Sequence, residues 1–324
     1  MTKQEILNYF PRDIKNLFEK LEDALWTEIF EIRVRSEKPV MVEKSDGHWF
    51  MTGMGVLSRR EASGFIASTE EMARFFLSLS ENSIYAFQQE IQNGYITIKG
   101  GHRVGFTGRV VMQDQSIKTM RDISGINIRV AHQVFGCANK ILPYIVGTDG
   151  LLMNTLIVSP PRCGKTTVLR DIARLASSGC KEFGLKGEKI GIVDERSEIA
   201  ACFKGVPQND VGLQTDVIDC CPKRLGMELL LRSMSPDVIV IDEIGNQGDK
   251  DAVLGIINAG VNVVATAHGY GIIDLRSKRE VFEIIKENVF DRIIVLSGIE
   301  GSGTLEEVVD NKNAKTLYCR RERA

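Results

Sequence analysis

The chain lacks an excess of charge of either sign. Its 324 residues include 41 Lys and Arg against 43 Asp and Glu, a formal net charge of −2. A strongly basic protein would favour nucleic acid or a membrane surface as partner, and this balance favours neither. The local exception is the segment 99–129, where six basic residues stand against two acidic ones. A solvated basic face explains that segment at least as well as a binding role does.

The chain also lacks a long apolar run. No stretch approaches the roughly 18–20 residues that a membrane-spanning helix needs. The charged start, with an early Pro11, shows no apolar core of a signal peptide. The seven cysteines contain no Cys-x-x-Cys spacing, which argues against a zinc module and a disulfide framework. These absences predict a cytoplasmic protein whose thiols stay reduced.

What the chain does contain is a strand–loop–helix pattern at 155–175. An apolar run reaches a turn that ends in Gly164-Lys165-Thr166, and a helical pattern comes next. In a P-loop of this kind, backbone N–H groups and the helix N-terminus face the β- and γ-phosphates. Lys165 adds a charge and Thr166 a ligand for Mg²⁺. The residues predicted to bind ATP are Ser159, Pro160, Pro161, Arg162, Cys163, Gly164, Lys165, Thr166 and Thr167. An ordinary helix N-terminus would leave the Pro-Pro turn unexplained.

A second apolar run ends in Asp242-Glu243, about 75 residues after the P-loop lysine. Ligands of open α/β sheets bind at the carboxyl ends of the strands, so both carboxylates are expected beside the phosphates. We predict that Asp242 holds Mg²⁺ through water, as in a Walker B strand. Glu243 is the predicted catalytic base, which polarises the attacking water. A helix cap is the alternative role for this pair.

Two further strand patterns end in candidate catalytic residues. The run at 189–193 ends in Asp194 and Glu195, and we expect this strand to lie beside the P-loop strand. Either carboxylate is a second candidate for the base, and capping of the next element is the alternative. The run at 261–267 ends in His268, which would sense the γ-phosphate beside Thr266 or else simply pack in the core.

The fold class is predicted from the order of these elements. Strand patterns at 155–158, 189–193, 237–241 and 261–266 alternate with helical patterns at 165–177, 222–234 and 247–258. This alternation predicts a RecA-like α/β domain, a parallel sheet with crossover helices, at 146–324. A smaller mixed α+β domain is predicted at 1–145. Its elements are helices at 3–20 and 68–80 and strands at 28–35, 39–42, 94–101, 104–112 and 126–130.

Taken together, the segments resemble the secretion and type IV pilus ATPases. In those proteins the segment that corresponds to 194–198 is an acidic "Asp box", and the segment that corresponds to 259–269 is a "His box". A closer resemblance is to the stage III sporulation protein AA family, from about residue 28 to 310. The motifs that carry it lie at 31–35, 100–105, 126–129, 194–199 and 205–208. The hexapeptide Asp-Glu-Arg-Ser-Glu-Ile at 194–199 is the most specific of them.

The resemblance implies a mother-cell ATPase of endospore-forming bacteria, at the base of a channel complex between mother cell and forespore. It further implies a homohexamer, membrane-protein partners and no nucleic acid. N-terminal arginines reach the phosphates in the secretion ATPases, and Arg103, Arg109 and Arg129 are the candidates here. A Cys-x-x-Cys zinc module, present in many type II secretion ATPases, is missing.

The chain departs from these patterns in the P-loop and in the Walker B strand. Ser159 stands where the first P-loop Gly belongs, so hydrolysis could be slow, and Arg162 stands where many relatives have Gly. The strand ends in Asp-Glu where secretion ATPases usually have Gly-Glu. The base therefore stays open between Glu243, which we favour, and the pair Asp194-Glu195.

Three other functions remain alternatives. A RecA-like ATPase that binds nucleic acid would show a broad basic surface. A small-molecule phosphotransferase would need an arginine-rich lid, which the sequence does not reveal. A nucleotide-gated scaffold with little turnover is compatible with the departure at Ser159.

Overall fold

The computed structural model describes residues 3–80, 94–113 and 116–320. Two positions of the basic segment 99–129, 114 and 115, therefore lie outside the described residues. The chain divides into two compact units, Met1–His132 and Gln133–Ala324.

The first unit is built on an antiparallel sheet with the strand order β4-β3-β2-β1-β7-β6-β5. Its described strands are β1 Ile29–Arg35, β2 Met41–Lys44, β3 Gly47–Met51, β4 Leu57–Ser58, β5 Tyr95–Ile98, β6 His102–Gln113 and β7 Ser116–Arg129. Its described helices are α1 Lys3–Leu7, α2 Arg12–Glu19, α3 Asp23–Trp26 and α4 Thr69–Leu79. Alternate strand residues such as Ile32 and Ile128 share one apolar core with the helices.

Two predicted elements of this unit differ from the structure. The helix predicted at 3–20 is two helices, because Pro11 has no N–H for the helix ladder and instead begins α2 as its N-cap. The strand predicted at 126–130 is the end of the longer β7. Helix α4 lies close to its prediction, because Ser68 and Glu71 form a capping box that fixes its start.

The second unit is built on a sheet with the order β10-β9-β11-β12-β8-β13-β14-β15. Its strands are β8 Thr155–Ser159, β9 Ile190–Asp194, β10 Thr215–Asp219, β11 Val238–Glu243, β12 Asn262–His268, β13 Arg292–Ser297, β14 Thr304–Asp310 and β15 Lys315–Cys319. Its described helices are α5 Leu142–Ile145, α6 Lys165–Ser178, α7 Lys223–Ser233, α8 Gln247–Asn258 and α9 Arg279–Lys286. In this order, neighbouring strands from β10 through β9, β11, β12 and β8 to β13 pair in parallel. Strand β14 pairs antiparallel with both β13 and β15.

Two apolar cores cover this sheet on opposite faces. Helix α6 contributes residues such as Ile172 to one core, and α7, α8 and α9 contribute to the other. Because both faces are covered, the central strands are apolar at successive positions, which is why the sequence shows continuous runs. All five residues of β8 are buried.

The sheet order corrects one prediction. Strand β9, which ends in Asp194, does not lie beside the P-loop strand β8; its neighbours are β10 and β11. Strand β8 pairs instead with β12 and with β13, a strand that the sequence patterns did not predict. Chain order leaves open which of several buried parallel strands are neighbours, so a topological error of this kind is expected.

Candidate functional site

The loop between β8 and α6 presents an uncapped helix N-terminus. Gly164, the N-cap, has φ of 82° and supplies no side-chain acceptor to the 14-residue helix. A Cβ atom there would lie 2.5 Å from Ser302 Oγ and 3.0 Å from the nitrogen of Gly303, so only glycine fits. The free N–H groups of the first turn, next to the Lys165 ammonium, form a donor set that suits a phosphate group.

The two residues that depart from the P-loop pattern differ in backbone conformation. Arg162 has φ of 61°, the left-handed region that glycine adopts at least cost. Ser159 is instead the last residue of β8 and is buried, and its hydroxyl donates to the carbonyl of Pro160 over 2.9 Å. The backbone conformation at Ser159 therefore does not require glycine.

The Lys165 side chain is held by acceptors at the carboxyl edge of the sheet. Its Nζ donates to the carbonyls of Ser159 and Pro160, over 3.2 and 3.4 Å, and lies 2.8 Å from His268 Nδ1. Burial lowers the pKa of Lys165, and the nearby carboxylates of Glu243 and Asp242 oppose that shift.

His268 connects this lysine to the predicted base. Its Nδ1 faces the Lys165 ammonium, which can only donate, so Nδ1 is the acceptor. The other ring nitrogen, Nε2, lies 3.1 Å from Glu243 Oε2. A neutral imidazole with its proton on Nε2 satisfies both contacts, as inferred from the hydrogen-bond geometry. The structure thus brings three predicted site residues, Lys165, His268 and Glu243, into one chain of contacts.

The predicted magnesium ligands offer oxygen atoms at the same edge. Asp242 Oδ1 accepts a hydrogen bond from the buried Thr266 hydroxyl over 3.3 Å, and Thr166 lies in the first turn of α6. Within the described ranges, no group of three or more His, Cys, Asp or Glu is arranged to hold a metal. A hydroxyl and one carboxylate fit Mg²⁺, which keeps several waters and takes its remaining ligands from substrate phosphates.

The contacts of Asp194 correspond to the alternative that the sequence left open for it, capping of the next element. Its carboxylate is buried and accepts backbone N–H bonds from Glu198, Ile199 and Ala200 over 2.8, 2.9 and 2.8 Å. Burial raises the pKa of Asp194 to about 6, against the lowering effect of these bonds. The side chain is thus turned toward the segment 198–200, where it acts as an anchor for backbone amides.

Arg170, which the sequence patterns did not single out, holds the same segment from the P-loop helix. Its guanidinium donates to the carbonyls of Glu198 and Ile199, and the residue is buried. The sequence could have indicated this role, because Arg170 lies next to Leu169 on the apolar side of α6, where a charged residue needs a partner. Arg170 therefore links the helix that begins at Lys165 to the chain beyond Asp194.

Glu195 faces a cavity that it shares with the Walker B residues. Its carboxylate forms a salt bridge with Lys223 at the start of α7. The cavity measures about 360 Å³, and Asp242 and Glu243 line it together with Glu195. Both candidate bases, Glu195 and Glu243, thus reach one space, but of these two only Glu243 has a contact with His268 among the described residues.

Comparison with known proteins places this architecture in a family. The pattern of the family described as "Sporulation stage III, protein AA" matches residues 1–316. The chain belongs to this family. It is 42% identical over 307 residues to Stage III sporulation protein AA of Bacillus subtilis (strain 168), and the match covers 94% of each chain. The resemblance predicted from the sequence motifs is therefore confirmed.

Solved structures of secretion and pilus ATPases share the fold. The ATPase DotB of Legionella pneumophila superposes with a TM-score of 0.56 at 16% identity, over 93% of this chain and 82% of that one. The pilus retraction motor PilT, solved with bound ADP, gives 0.55 at 15% identity, over 84% and 75%. These likenesses confirm the predicted fold class, a RecA-like domain preceded by a mixed α+β domain. Within the described residues, no helix is long and apolar enough to span a bilayer.

Proposed function

We propose that this member of the sporulation family binds ATP with Mg²⁺ at the N-terminus of α6 and hydrolyses it. The observation that carries the proposal is the contact chain from Lys165 through His268 to Glu243 at the carboxyl edge of the sheet. This chain of contacts joins the lysine at the helix N-terminus to a carboxylate that lines a cavity at the same edge of the sheet. The ATPase neighbours in fold support the same function.

In this mechanism, Lys165 exchanges its carbonyl acceptors and His268 for phosphate oxygens when ATP binds. The released imidazole keeps its contact with Glu243 and so holds that carboxylate in one orientation. Glu243 accepts a hydrogen bond from the attacking water and thereby raises its nucleophilicity. Thr166, and Asp242 through water, would hold Mg²⁺, which would supply positive charge against the phosphates.

We also propose the cellular setting that the family membership supports. The protein would work as a homohexamer in the mother cell and would act on the mother cell–forespore channel complex through membrane-protein partners. The 42% identical Stage III sporulation protein AA supports the sporulation role, the fold neighbours support an ATPase, and the homohexamer is what the resemblance to the secretion ATPases implies. No nucleic acid is required. The mass in solution, measured with and without a non-hydrolysable ATP analogue, tests the assembly; a persistent monomer would contradict it.

The binding step is tested by Lys165→Ala. Because Lys165 is the one charged side chain that the proposal places on the phosphates, the variant should no longer bind the Mg²⁺ complex of a non-hydrolysable ATP analogue in equilibrium titration. Lys181→Ala, which removes an exposed lysine from the same unit, is the matched control and should bind as the wild type does. Unchanged affinity in Lys165→Ala would refute the P-loop assignment. Binding without any turnover in the wild type would favour the nucleotide-gated scaffold instead.

A further inference from the structure

Lys278 reaches the candidate site from the segment that follows β12. Its Nζ donates to the carbonyl oxygen of His268 over 2.7 Å, ten positions earlier in the chain, and the residue is half-buried. The ring of His268 in turn connects the Lys165 ammonium to the carboxylate of Glu243, at 2.8 and 3.1 Å. Lys278 thus contacts the backbone of the residue that links the P-loop lysine to the predicted base.

The loop after β12 is held by contacts of its own. The amide of Tyr270 donates to Asp274 Oδ2 over 3.1 Å. Leu275 is fully buried in the core, and a Cβ at Gly269 would lie 2.8 Å from its Cδ2, so the chain packs closely there. Because these contacts fix the loop without the ammonium of Lys278, the loss of that ammonium should not unfold it.

The backbone of Lys278 is also fixed. Its N–H donates to the carbonyl of Leu275 over 3.0 Å, and its carbonyl accepts from the N–H of Phe282 over 2.9 Å, since Lys278 is the N-cap of α9. A functional group on an ordered element is positioned more accurately than one on a loop. The ammonium therefore reaches the carbonyl of His268 from a fixed starting point.

The binding of ATP would remove one of the two contacts that hold the His268 ring. In the proposed mechanism Lys165 exchanges Nδ1 of the ring for phosphate oxygens, and of these two contacts the ring then keeps the one with Glu243. A displacement of about 1 Å near a reacting group can cost about 10²-fold in rate. The bond from Lys278 to the His268 carbonyl does not depend on Lys165, so it still holds the backbone of this residue.

We propose that Lys278 is a positioning residue for ATP hydrolysis. It fixes the backbone of His268, so that the imidazole keeps Glu243 oriented after Lys165 has moved to the phosphates. The inference rests on the proposed function, because it gives Lys278 a role in the same reaction. Lys278 acts through the ring of His268 and not on the nucleotide, so its loss should lower the rate of hydrolysis and leave ATP binding nearly unchanged.

Lys278→Met removes the ammonium and keeps most of the length of the side chain. Its turnover should fall about tenfold or more, while its affinity for the Mg²⁺ complex of a non-hydrolysable ATP analogue stays within about twofold of the wild type. The thermal midpoint should not change. Lys278→Arg, which keeps a donor and a positive charge, should restore most of the turnover. Lys286→Met, which removes an exposed lysine at the other end of α9, is the matched control and should hydrolyse ATP as the wild type does.

A double-mutant cycle with His268→Ala separates the positioning role from a purely structural one. The backbone carbonyl of residue 268 is still present in that variant, so Lys278 can keep its hydrogen bond, but no ring remains to be positioned. Adding Lys278→Met to His268→Ala should therefore lower turnover by no more than about twofold, because residues that act through one another are not additive.

The inference is overturned if Lys278→Met hydrolyses ATP normally, if it loses affinity as much as turnover, or if it costs as much in the His268→Ala background as in the wild type. In each of these cases hydrolysis by the wild type still upholds the proposed function, whereas a wild type that does not hydrolyse ATP overturns both. Should Lys278→Met fold poorly, Lys278→Gln takes its place, because its side chain is polar and one atom shorter, and the same loss of turnover is expected.

Discussion

Strands β9 and β11 lie side by side, and both end in an acidic pair, yet the segments beyond the two pairs differ. After β9 the chain folds back, and the amides of 198–200 occupy both oxygens of Asp194. After β11 the chain enters α8, where Asn246 and Asp249 form a capping box and satisfy their own amides. Glu243 and Glu195, the second carboxylates of the two pairs, are equally exposed at 36% and 37% of their side chains, but Glu243 contacts His268 whereas Glu195 pairs with Lys223. The segment after a strand thus decides whether the first carboxylate of such a pair is bound to backbone amides, as Asp194 is.

The two acidic pairs also differ in which of their carboxylates line the shared cavity. At β11 both Asp242 and Glu243 line the shared cavity, whereas at β9 only Glu195 does. Glu195 is paired there with Lys223, which competes with a water molecule for the carboxylate oxygens. The comparison therefore favours Glu243 as the base.

The largest effect is expected from a substitution at Glu243. Glu243→Gln keeps the size of the side chain and its contact with His268 but removes the basic carboxylate. ATP hydrolysis should fall about 10²-fold or more, while ATP binding and the thermal midpoint stay unchanged. Steady-state turnover and equilibrium binding measure the two effects.

Glu195→Gln is the matched control, because this residue lines the same cavity. Its hydrolysis should fall far less than that of Glu243→Gln. Near-normal turnover in Glu243→Gln combined with a large loss in Glu195→Gln would move the role of the base to β9.

Asp194→Ala should give the opposite result, a loss of stability. The substitution leaves three buried N–H groups without an acceptor, at about 1–3 kcal/mol for each unsatisfied group, partly offset by the release of a buried carboxylate. We expect the free energy of unfolding in urea to fall by about 3 kcal/mol. A variant of wild-type stability that has lost only its hydrolysis would show instead that Asp194 acts in catalysis.

A smaller effect is expected in the pH dependence of the free energy of unfolding, which tests whether Asp194 is buried as described. Burial raises the pKa of Asp194 from 3.8 to about 6, so the folded state takes up this proton at a higher pH than the unfolded state does. Its contribution therefore stabilises the folded state as pH falls from 7 to 5, by about 1 kcal/mol. Glu188, whose pKa burial raises to about 7, adds a change of the same sign.

Asp194→Asn isolates the Asp194 part, because Glu188 is present in both proteins. The free energy of unfolding, measured at pH 7 and pH 5, should rise less on acidification in the variant than in the wild type. Equal changes in the two proteins would show that Asp194 does not titrate in this range.

The sequence was sufficient for four of the strands that are buried on both sides, whereas β13, which has the same continuous run of buried apolar residues, was missed. Strands β8, β9, β11 and β12 were predictable because covered parallel strands are apolar at successive positions. Strand β10 was not, because Thr215–Asp219 is only partly buried and carries polar residues at both ends. Strands β14 and β15 form a partly exposed antiparallel pair without a continuous apolar run.

The side-chain contacts of the site were less predictable than its members. The chain from Lys165 to Glu243 runs through His268 because β12 lies between β8 and β11, an order that appears only in the folded sheet. The fold-back onto Asp194 is different, because the three amides follow this residue by four to six positions and the sequence had left capping as its alternative role. The contacts of His268 with Lys165 and with Glu243 join distant parts of the chain, on which local patterns give no information.

The smallest effects are expected at Ser159 and Arg162, the two residues that depart from the P-loop pattern and that differ in backbone conformation. Ser159→Gly removes a buried hydrogen bond to the carbonyl of Pro160 in an extended strand, so it should cost about 1 kcal/mol of stability. Arg162→Gly should have the opposite sign and add about 1 kcal/mol, because it relieves a left-handed conformation at φ 61°. Neither should change hydrolysis more than a few-fold, since neither side chain contacts Lys165 or Glu243. A tenfold faster turnover in Ser159→Gly would show instead that the serine restrains the loop and that the slow hydrolysis expected from the sequence has its origin there.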